Sequence, residues 1–216
     1  MSDPVKTARR YDGSGRREQA RETRRQILVA AKELFLDRGY AATTMADVAA
    51  SAGVAVQTVY SAVGGKAALL KEVFDVSLVG DDEPVPVGER PEIAKVIAET
   101  DGRRKLELFA RYVSGVLERL SPLAVILVVA ADGDDDAAQV LEGYQQGRYQ
   151  GMTEFATDLK QHRLLRRGMT VERAAAVMAA HIDVANWNTL VVRHGFTRKE
   201  FERWLVDVSE AALLRK

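Results

Sequence analysis

Residues 43–61 read TTMADVAASAGVAVQTVYS, and this stretch decides the fold. Thr44 stands three residues before Asp47, the spacing at which a hydroxyl and a carboxylate cap the free amides of a helix start. Met45, Val48 and Ala49 then form an inward-facing helical stripe. Ala52-Gly53-Val54 makes a sharp turn, and a further helix runs from Ala55 to Ser61. Two short helices joined by a glycine-containing turn are the pattern of a helix-turn-helix, in which small residues such as Ala49 and Gly53 let the helices cross closely. Val54 and Val59 are needed inside, which leaves Val56, Gln57, Thr58, Tyr60 and Ser61 facing outward.

Those residue types suit the major groove of double-stranded DNA. Gln57 can contact adenine bidentately, while Val56 and the Thr58 methyl can meet a thymine methyl. Tyr60, Thr44 and Lys66 suit phosphates, which fix register without reading sequence. The expected DNA-binding set is therefore Thr44, Val56, Gln57, Thr58, Tyr60, Ser61 and Lys66.

Outward from this stretch, Ile27, Ala30, Ala31, Leu34 and Phe35 recur at helical spacing, and Gly39 sits where a left-handed stop is wanted; the first helix is predicted over 18–38. Residues 1–17, with Pro4, Gly13 and Gly15, lack apolar periodicity and read as a flexible basic arm. Through Arg25 the chain has eight basic residues (Lys6, Arg9, Arg10, Arg16, Arg17, Arg21, Arg24, Arg25) against four acidic ones (Asp3, Asp12, Glu18, Glu22). The whole chain of 216 residues balances 31 basic against 31 acidic, so a nucleic-acid reading rests on this local asymmetry alone. Lys66 to about Leu78 reads as a connecting helix with Leu69, Leu70, Val73 and Phe74 as its stripe. Residues 80–90, rich in Pro, Asp and Glu, read as a linker.

Beyond the linker the chain reads as helical throughout, over 91–99, 103–120, 122–132, 135–163, 171–193 and 198–214. Pro91 and Pro122 suit first helical turns, Ser121 suits a cap, and Thr197 with Glu200 has capping-box spacing. The predicted class is all-α: a helix-turn-helix domain over 18–66, a connecting helix over 67–79, and a helical bundle over 91–216.

The chain contains no cysteine, which excludes disulfides and thiolate metal sites. No secretory leader pattern is visible, and the longest apolar run, Leu123 to Ala131, falls short of a membrane span, so a cytoplasmic protein with no membrane partner is expected. Asp132-Gly133-Asp134-Asp135-Asp136 fails as a calcium loop, because Ala137 and Gly143 stand where glycine and glutamate are required. It reads instead as a loop entering a helix whose start favours negative charge. His162, His181 and His194 lack metal spacing, and no nucleophile elbow or phosphate loop is present. No enzyme, metal or cofactor is expected.

The stretch from Arg24 to Asp75 resembles the DNA-binding domain of the TetR family of transcriptional regulators. The matching pieces are ILxAAxxLFxxxGY (27–40), TTMxDVA (43–49), AGV (52–54), TVY (58–60) and GKxxLL (65–70). Two positions depart from the family pattern: Ala55 stands where a capping Ser is usual, and Val63 where an aromatic is usual, ahead of Gly65-Lys66-Ala67.

The resemblance implies a homodimeric repressor released from a palindromic operator by a small-molecule effector. It implies pairing through the last two helices, with Trp187, Val191, Phe201, Trp204, Leu205 and Val208 as dimerisation candidates. It also implies a pocket inside the C-terminal bundle, for which Phe109, Tyr112, Val116, Leu127, Tyr144, Met152, Phe155, Met178, His181 and Asn188 are the ligand-binding candidates. The alternative is a constitutive DNA-binding protein whose C-terminal domain only dimerises.

Overall fold

The computed structural model describes residues 14–80 and 87–215. Most of the expected arm, 1–13, and residues 81–86 of the expected linker lie outside this range. The described chain forms ten α-helices: α1 (Ser14–Ala42), α2 (Met45–Ala52), α3 (Val56–Val63), α4 (Lys66–Val79), α5 (Pro91–Ala98), α6 (Gly102–Ala131), α7 (Asp135–Gln161), α8 (Val171–His181), α9 (Val184–Trp187) and α10 (Arg198–Leu213). Among the described residues the sole extended pairing is an isolated antiparallel bridge between Leu165 and Leu214, which ties the C-terminus to the α7–α8 loop.

α1 starts earlier than its apolar stripe predicts. Arg16, Arg17, Glu18, Gln19 and Ala20 are good helix formers, and Glu18–Arg21 and Glu22–Arg25 pairs at i,i+3 support the exposed first turns. Its far end is closed by chemistry the spacing rules hint at only in part. Gly39 leaves the helix at φ 78°, and the buried Thr43 hydroxyl lies in hydrogen-bond reach of the Leu34 and Gly39 carbonyls, at 3.2 and 2.8 Å.

α2 opens on the predicted capping box. The Thr44 hydroxyl accepts from the Asp47 amide at 3.1 Å, and the Thr44 amide donates to Asp47 Oδ2 at 3.0 Å. Gly53 adopts φ 67°, and the Val54 amide reaches back to the Ala49 carbonyl at 3.0 Å, which sets the angle between α2 and α3. α3 is the less well-capped of the two, because Ala55 offers its first amides no side-chain acceptor.

Two apolar clusters fill the molecule. One joins Ile27, Phe35, Val48, Val59, Leu70 and Phe74 of α1–α4 to Leu120, Leu123 and Leu127 of α6. The other joins Leu106, Phe109 and Leu117 of α6 to Phe155 and Leu159 of α7, Met178 of α8, Trp187 of α9 and Phe201 and Leu205 of α10. α6 belongs to both.

That sharing corrects the expected break at Pro122. The sequence reading places a helix start there, with Ser121 as cap; the structure runs one 30-residue helix through it. An interior proline costs about 3 kcal/mol. Against this, Leu117, Leu120, Leu123 and Leu127 keep one helical phase across it and are all 2 % exposed or less, each burial worth about 1.5–3 kcal/mol. Pro122 itself is exposed, so the gap in the hydrogen-bond ladder faces water. The merged helix is long and apolar enough to cross a membrane, unlike the short run 123–131, but 61 % of its most apolar window is buried within the bundle.

The expected single helix over 171–193 is likewise corrected. It breaks after His181 because Asp183 caps a new start, accepting from the Ala185 amide at 2.9 Å, while Asn186 Nδ2 donates to the Ala180 carbonyl at 2.7 Å. α9 then passes into a π-helical segment, Asn188–Arg193.

Gly53→Ala should destabilise the protein by about 1–2 kcal/mol through its left-handed backbone alone, since no atom lies near an added Cβ. Ala55→Ser should supply the missing cap and stabilise by about 1 kcal/mol. Urea unfolding of both variants checks the signs, and a stabilised Gly53→Ala would contradict the account of the turn.

Candidate DNA interface and ligand cavity

α3 is anchored by Val59 and Val63, which are buried, and presents Val56, Gln57, Tyr60 and Ser61 outward with Thr58 half-buried. Val56 is 41 % and Tyr60 49 % exposed, large values for such residues in the absence of a partner. The Ser61 hydroxyl donates to the Gln57 carbonyl at 2.8 Å, so it is partly engaged within the helix.

The donors assigned to phosphate are less free than their residue types suggest. Thr44 is exposed, but its amide donates to the Asp47 carboxylate and its hydroxyl lies 2.6 Å from the same oxygen. The Thr44 hydroxyl and amide hold Asp47 below the usual carboxylate range. Lys66 places Nζ 4.3 Å from the Tyr40 ring centre and donates to the Ala41 carbonyl at 3.3 Å; burial pulls its pKa below the ordinary lysine value. Two groups at this corner escape inspection of α3 alone. The amides of Met45 and Ala46 occupy the first turn of α2, where intrahelical acceptors are lacking. Arg38 brings its guanidinium to 3.9 Å from Asp47.

Tyr40 and Lys66 also join the helix-turn-helix to the bundle. Tyr40 Oη donates to Asp134 Oδ2 at 2.8 Å, and Asp134 caps α7 through the Ala137 amide at 3.1 Å. The Tyr40 bond holds the Asp134 carboxyl below its usual range, while burial first and then Asp134 push the Tyr40 phenol up. The acidic run thus carries a helix cap and an inter-helix contact.

A cleft of about 1310 Å³ lies among α4, α5, α6 and α7. Six of the ten predicted ligand residues line it: Phe109, Tyr112, Val116, Tyr144, Met152 and Phe155. Phe109 and Phe155 stack at 4.3 Å, and Tyr144 meets Phe74 edge-on at 4.8 Å. Burial pushes the phenols of Tyr112 and Tyr144 up, against the nearby charges of Arg119 and Arg148 respectively.

The other four candidates do not line the cleft. Leu127 packs into the α1–α4 core and Met178 is fully enclosed by the other core. His181 faces α10, with Nδ1 3.1 Å from Ser209 Oγ and its ring edge-on to Trp204. Asn188 lies on the π segment. The physical reason is that α8 packs between α7 and α10, so the wall comes from α4 and α5 instead. Phe74 and Leu78 of α4, with Ile93, Val96 and Ile97 of α5, were missed; the i, i+3, i+4 spacing of the last three was the available signal.

Of the dimerisation candidates, Trp187, Phe201 and Leu205 are buried in the chain's own core, with Trp187 edge-on to Phe201 at 5.0 Å. Val191, Trp204 and Val208 keep partial exposure. Val192, not among the candidates, is 69 % exposed.

Residues 27–73 match the model of the bacterial regulatory proteins of the tetR family. Over this stretch the chain is similar to the DNA-binding domain of TetR-family regulators. Consistent with this, it is 26 % identical over 186 residues to the probable HTH-type transcriptional regulator ArpR of Pseudomonas putida, covering 79 % of this chain and 82 % of ArpR. In fold, the chain is similar to NalD, the secondary repressor of the MexAB-OprM multidrug efflux pump in Pseudomonas aeruginosa (TM-score 0.69, 23 % identity, 92 % of this chain and 99 % of NalD). It is also similar to a transcriptional regulator from Saccharomonospora viridis in complex with choline (TM-score 0.67, 17 % identity, 91 % and 100 % covered). Both curated relatives, ArpR and TtgR of Pseudomonas putida, are named as transcriptional regulators.

Burial lowers the His181 pKa, so the folded chain binds a proton less readily than the unfolded one. The sign follows: stability is full above the ordinary imidazole value of about 6.5 and is lost as pH falls through it. Thermal unfolding between about pH 7.5 and 5.5 should show this loss reduced in His181→Gln. An unchanged pH slope in that variant would assign the loss to other groups.

Proposed function

We propose that this chain is a TetR-family regulator, a cytoplasmic homodimeric repressor released from a palindromic operator when a small molecule occupies the α4–α7 cleft. The observation that carries the reading is the position of α4. It follows the recognition helix after two glycines, and its residues Phe74 and Leu78 wall the cleft. Occupancy therefore acts on the element that sets where α3 stands. A ligand shifts this equilibrium only by binding the released arrangement more tightly than the DNA-bound one.

Two clamps support the same reading. Arg119 of α6 donates from Nε to the Ser77 carbonyl at 2.9 Å and from Nη2 to the Leu78 carbonyl at 3.0 Å, which holds the end of α4 against α6. The Tyr40–Asp134 bond fixes the end of α1 to the start of α7, whose Asp136, Gln139 and Val140 reach the cleft. An open cleft with tyrosines on its walls favours a ligand-responsive protein over one whose C-terminal helices only dimerise. Val191, Val192, Trp204 and Val208 are the surface left for pairing, and two copies place two α3 helices on successive major grooves.

A palindromic site selected from random duplexes and measured by fluorescence anisotropy tests DNA reading. Gln57→Ala should weaken binding by about tenfold and relax the preference at one base pair of each half-site. Lys66→Ala should weaken selected and unselected DNA alike and flatten the salt dependence. Gln57→Ala with undiminished preference would remove α3 as the reader.

Tyr40→Phe breaks one contact without touching the cleft. Ligand affinity in the absence of DNA should stay within about twofold, while the ligand concentration that releases operator should shift, because coupling rather than binding is altered. A release curve superimposable on that of the unaltered protein would remove this contact from the switch.

A further inference from the structure

The last three turns of α6 carry an exposed face made of apolar side chains alone. From Leu120 to Ala131 the helix contains no charged residue, and its one hydroxyl, on Ser121, belongs to a buried side chain. Leu123 and Leu127 turn inward and pack into the core of the helix-turn-helix. On the opposite side Val125 is 51 %, Val128 50 % and Val129 67 % exposed, beside the exposed Pro122. Positions 122, 125 and 129 share one helical stripe, with Val128 at its edge. Single exposed valines are ordinary, as at Val29 of α1, but four apolar side chains on consecutive turns mark an interaction surface.

None of the four lines the cleft, so this face is separate from the proposed effector site. One turn before Pro122 the same stripe holds Glu118, which accepts from Arg198 Nη1 of α10 at 3.1 Å. Arg198 follows the loop that returns from the π segment, where the Phe196 amide donates to the Leu190 carbonyl at 2.9 Å. The α6 face therefore continues from the corner that carries Val191 and Val192. A lipid surface fits it poorly. Helices that lie on membranes carry lysine and arginine beside their apolar face, whereas the nearest cation of α6, Arg119, is held on the Ser77 and Leu78 carbonyls of α4.

We infer that the Pro122–Val125–Val129 face of α6 rests on a second copy of this chain, as a further contact continuous with the pairing surface of the π segment and α10. The inference rests on the reading of the protein as a homodimer and adds where the copies meet closest to the DNA-binding helices. Val191, Val192, Trp204 and Val208 are few anchors for the roughly 20–30 residues a side that a stable interface takes, and α6 extends them. Because Leu123 and Leu127 carry the other face of α6 into the helix-turn-helix core, a partner seated on Val125 and Val129 sets the distance between the two α3 helices through the thickness of a single helix.

The test uses the full chain. Sedimentation equilibrium of Val125→Asp and of Val129→Asp should show the dimer dissociation constant raised at least about tenfold, because each places a carboxylate in an apolar contact. Val192→Asp, on the pairing surface already proposed, should do the same. The chain has no cysteine, so Val129→Cys carries a single thiol. Its reaction with a maleimide should be at least about tenfold slower in the dimer than after dilution to monomer, whereas Val29→Cys should react at one rate in both.

If the unaltered chain sediments as a monomer at every concentration, the homodimer reading fails and takes this inference with it. If Val192→Asp weakens the dimer while both α6 variants leave it unchanged, or if the Val129→Cys thiol reacts as fast in the dimer as in the monomer, the α6 contact alone is overturned. Flotation on anionic phospholipid vesicles that Val129→Asp abolishes, with sedimentation unchanged, would assign the face to lipid and overturn it as well. Should the Asp variants fail to fold, the labelling of Val129→Cys still decides.

Discussion

The unbroken burial of one face of α6 is the constraint on which the rest of the molecule depends. Leu106, Leu117, Leu120, Leu123 and Leu127 follow one stripe from the far end of the bundle to the underside of the helix-turn-helix. Because the two apolar clusters meet along this helix, neither can repack without the other. The Arg119 contacts with the end of α4 and the ion pair of Lys105 with Asp158 of α7 both leave from α6. Lys105 is wholly buried, and such a pair is costly to break because a lone carboxylate would remain half-enclosed.

Much of the helix-turn-helix was legible because its determinants are local. A capping box, a left-handed glycine and a 3.6-residue stripe each act within a few positions, so Thr44, Asp47, Gly53 and Val59 declare themselves in order. The first contradiction, at Pro122, arose where a local rule met a long-range one. Proline disfavours a helix interior by an amount that several buried leucines exceed, and their burial depends on α1, α4 and α7, which no window around residue 122 contains. The break at Asp183 had a local signal, an Asp and an Asn three residues apart inside an apolar pattern, which the periodicity masked.

The candidate site was legible in residue type more than in placement. Aromatic and methionine positions of α6 and α7 were found because both helices turn a long apolar face inward. The placement of His181, Met178 and Asn188 on one wall came from choosing a face of the expected helix over 171–193, which the structure breaks after His181, without knowing its neighbours. The same limit applies to Trp187, Phe201 and Leu205: apolar spacing reveals that a residue is buried, and only tertiary packing tells whether the burying surface belongs to the same chain.

α3 is eight residues long, bounded by Gly53 and Gly64 in left-handed backbone conformations, and held through two valines. Such a helix is a cassette. Its outward positions make almost no contact that the fold requires, so they are free to drift; under the proposed role of α3 as the DNA reader, descendants of this gene acquire new operators by changing a handful of codons while every core residue stays fixed. The weak attachment also favours local adjustment on the duplex, since a segment with few anchors can tilt to suit a groove of unusual width at little cost to the bundle behind it.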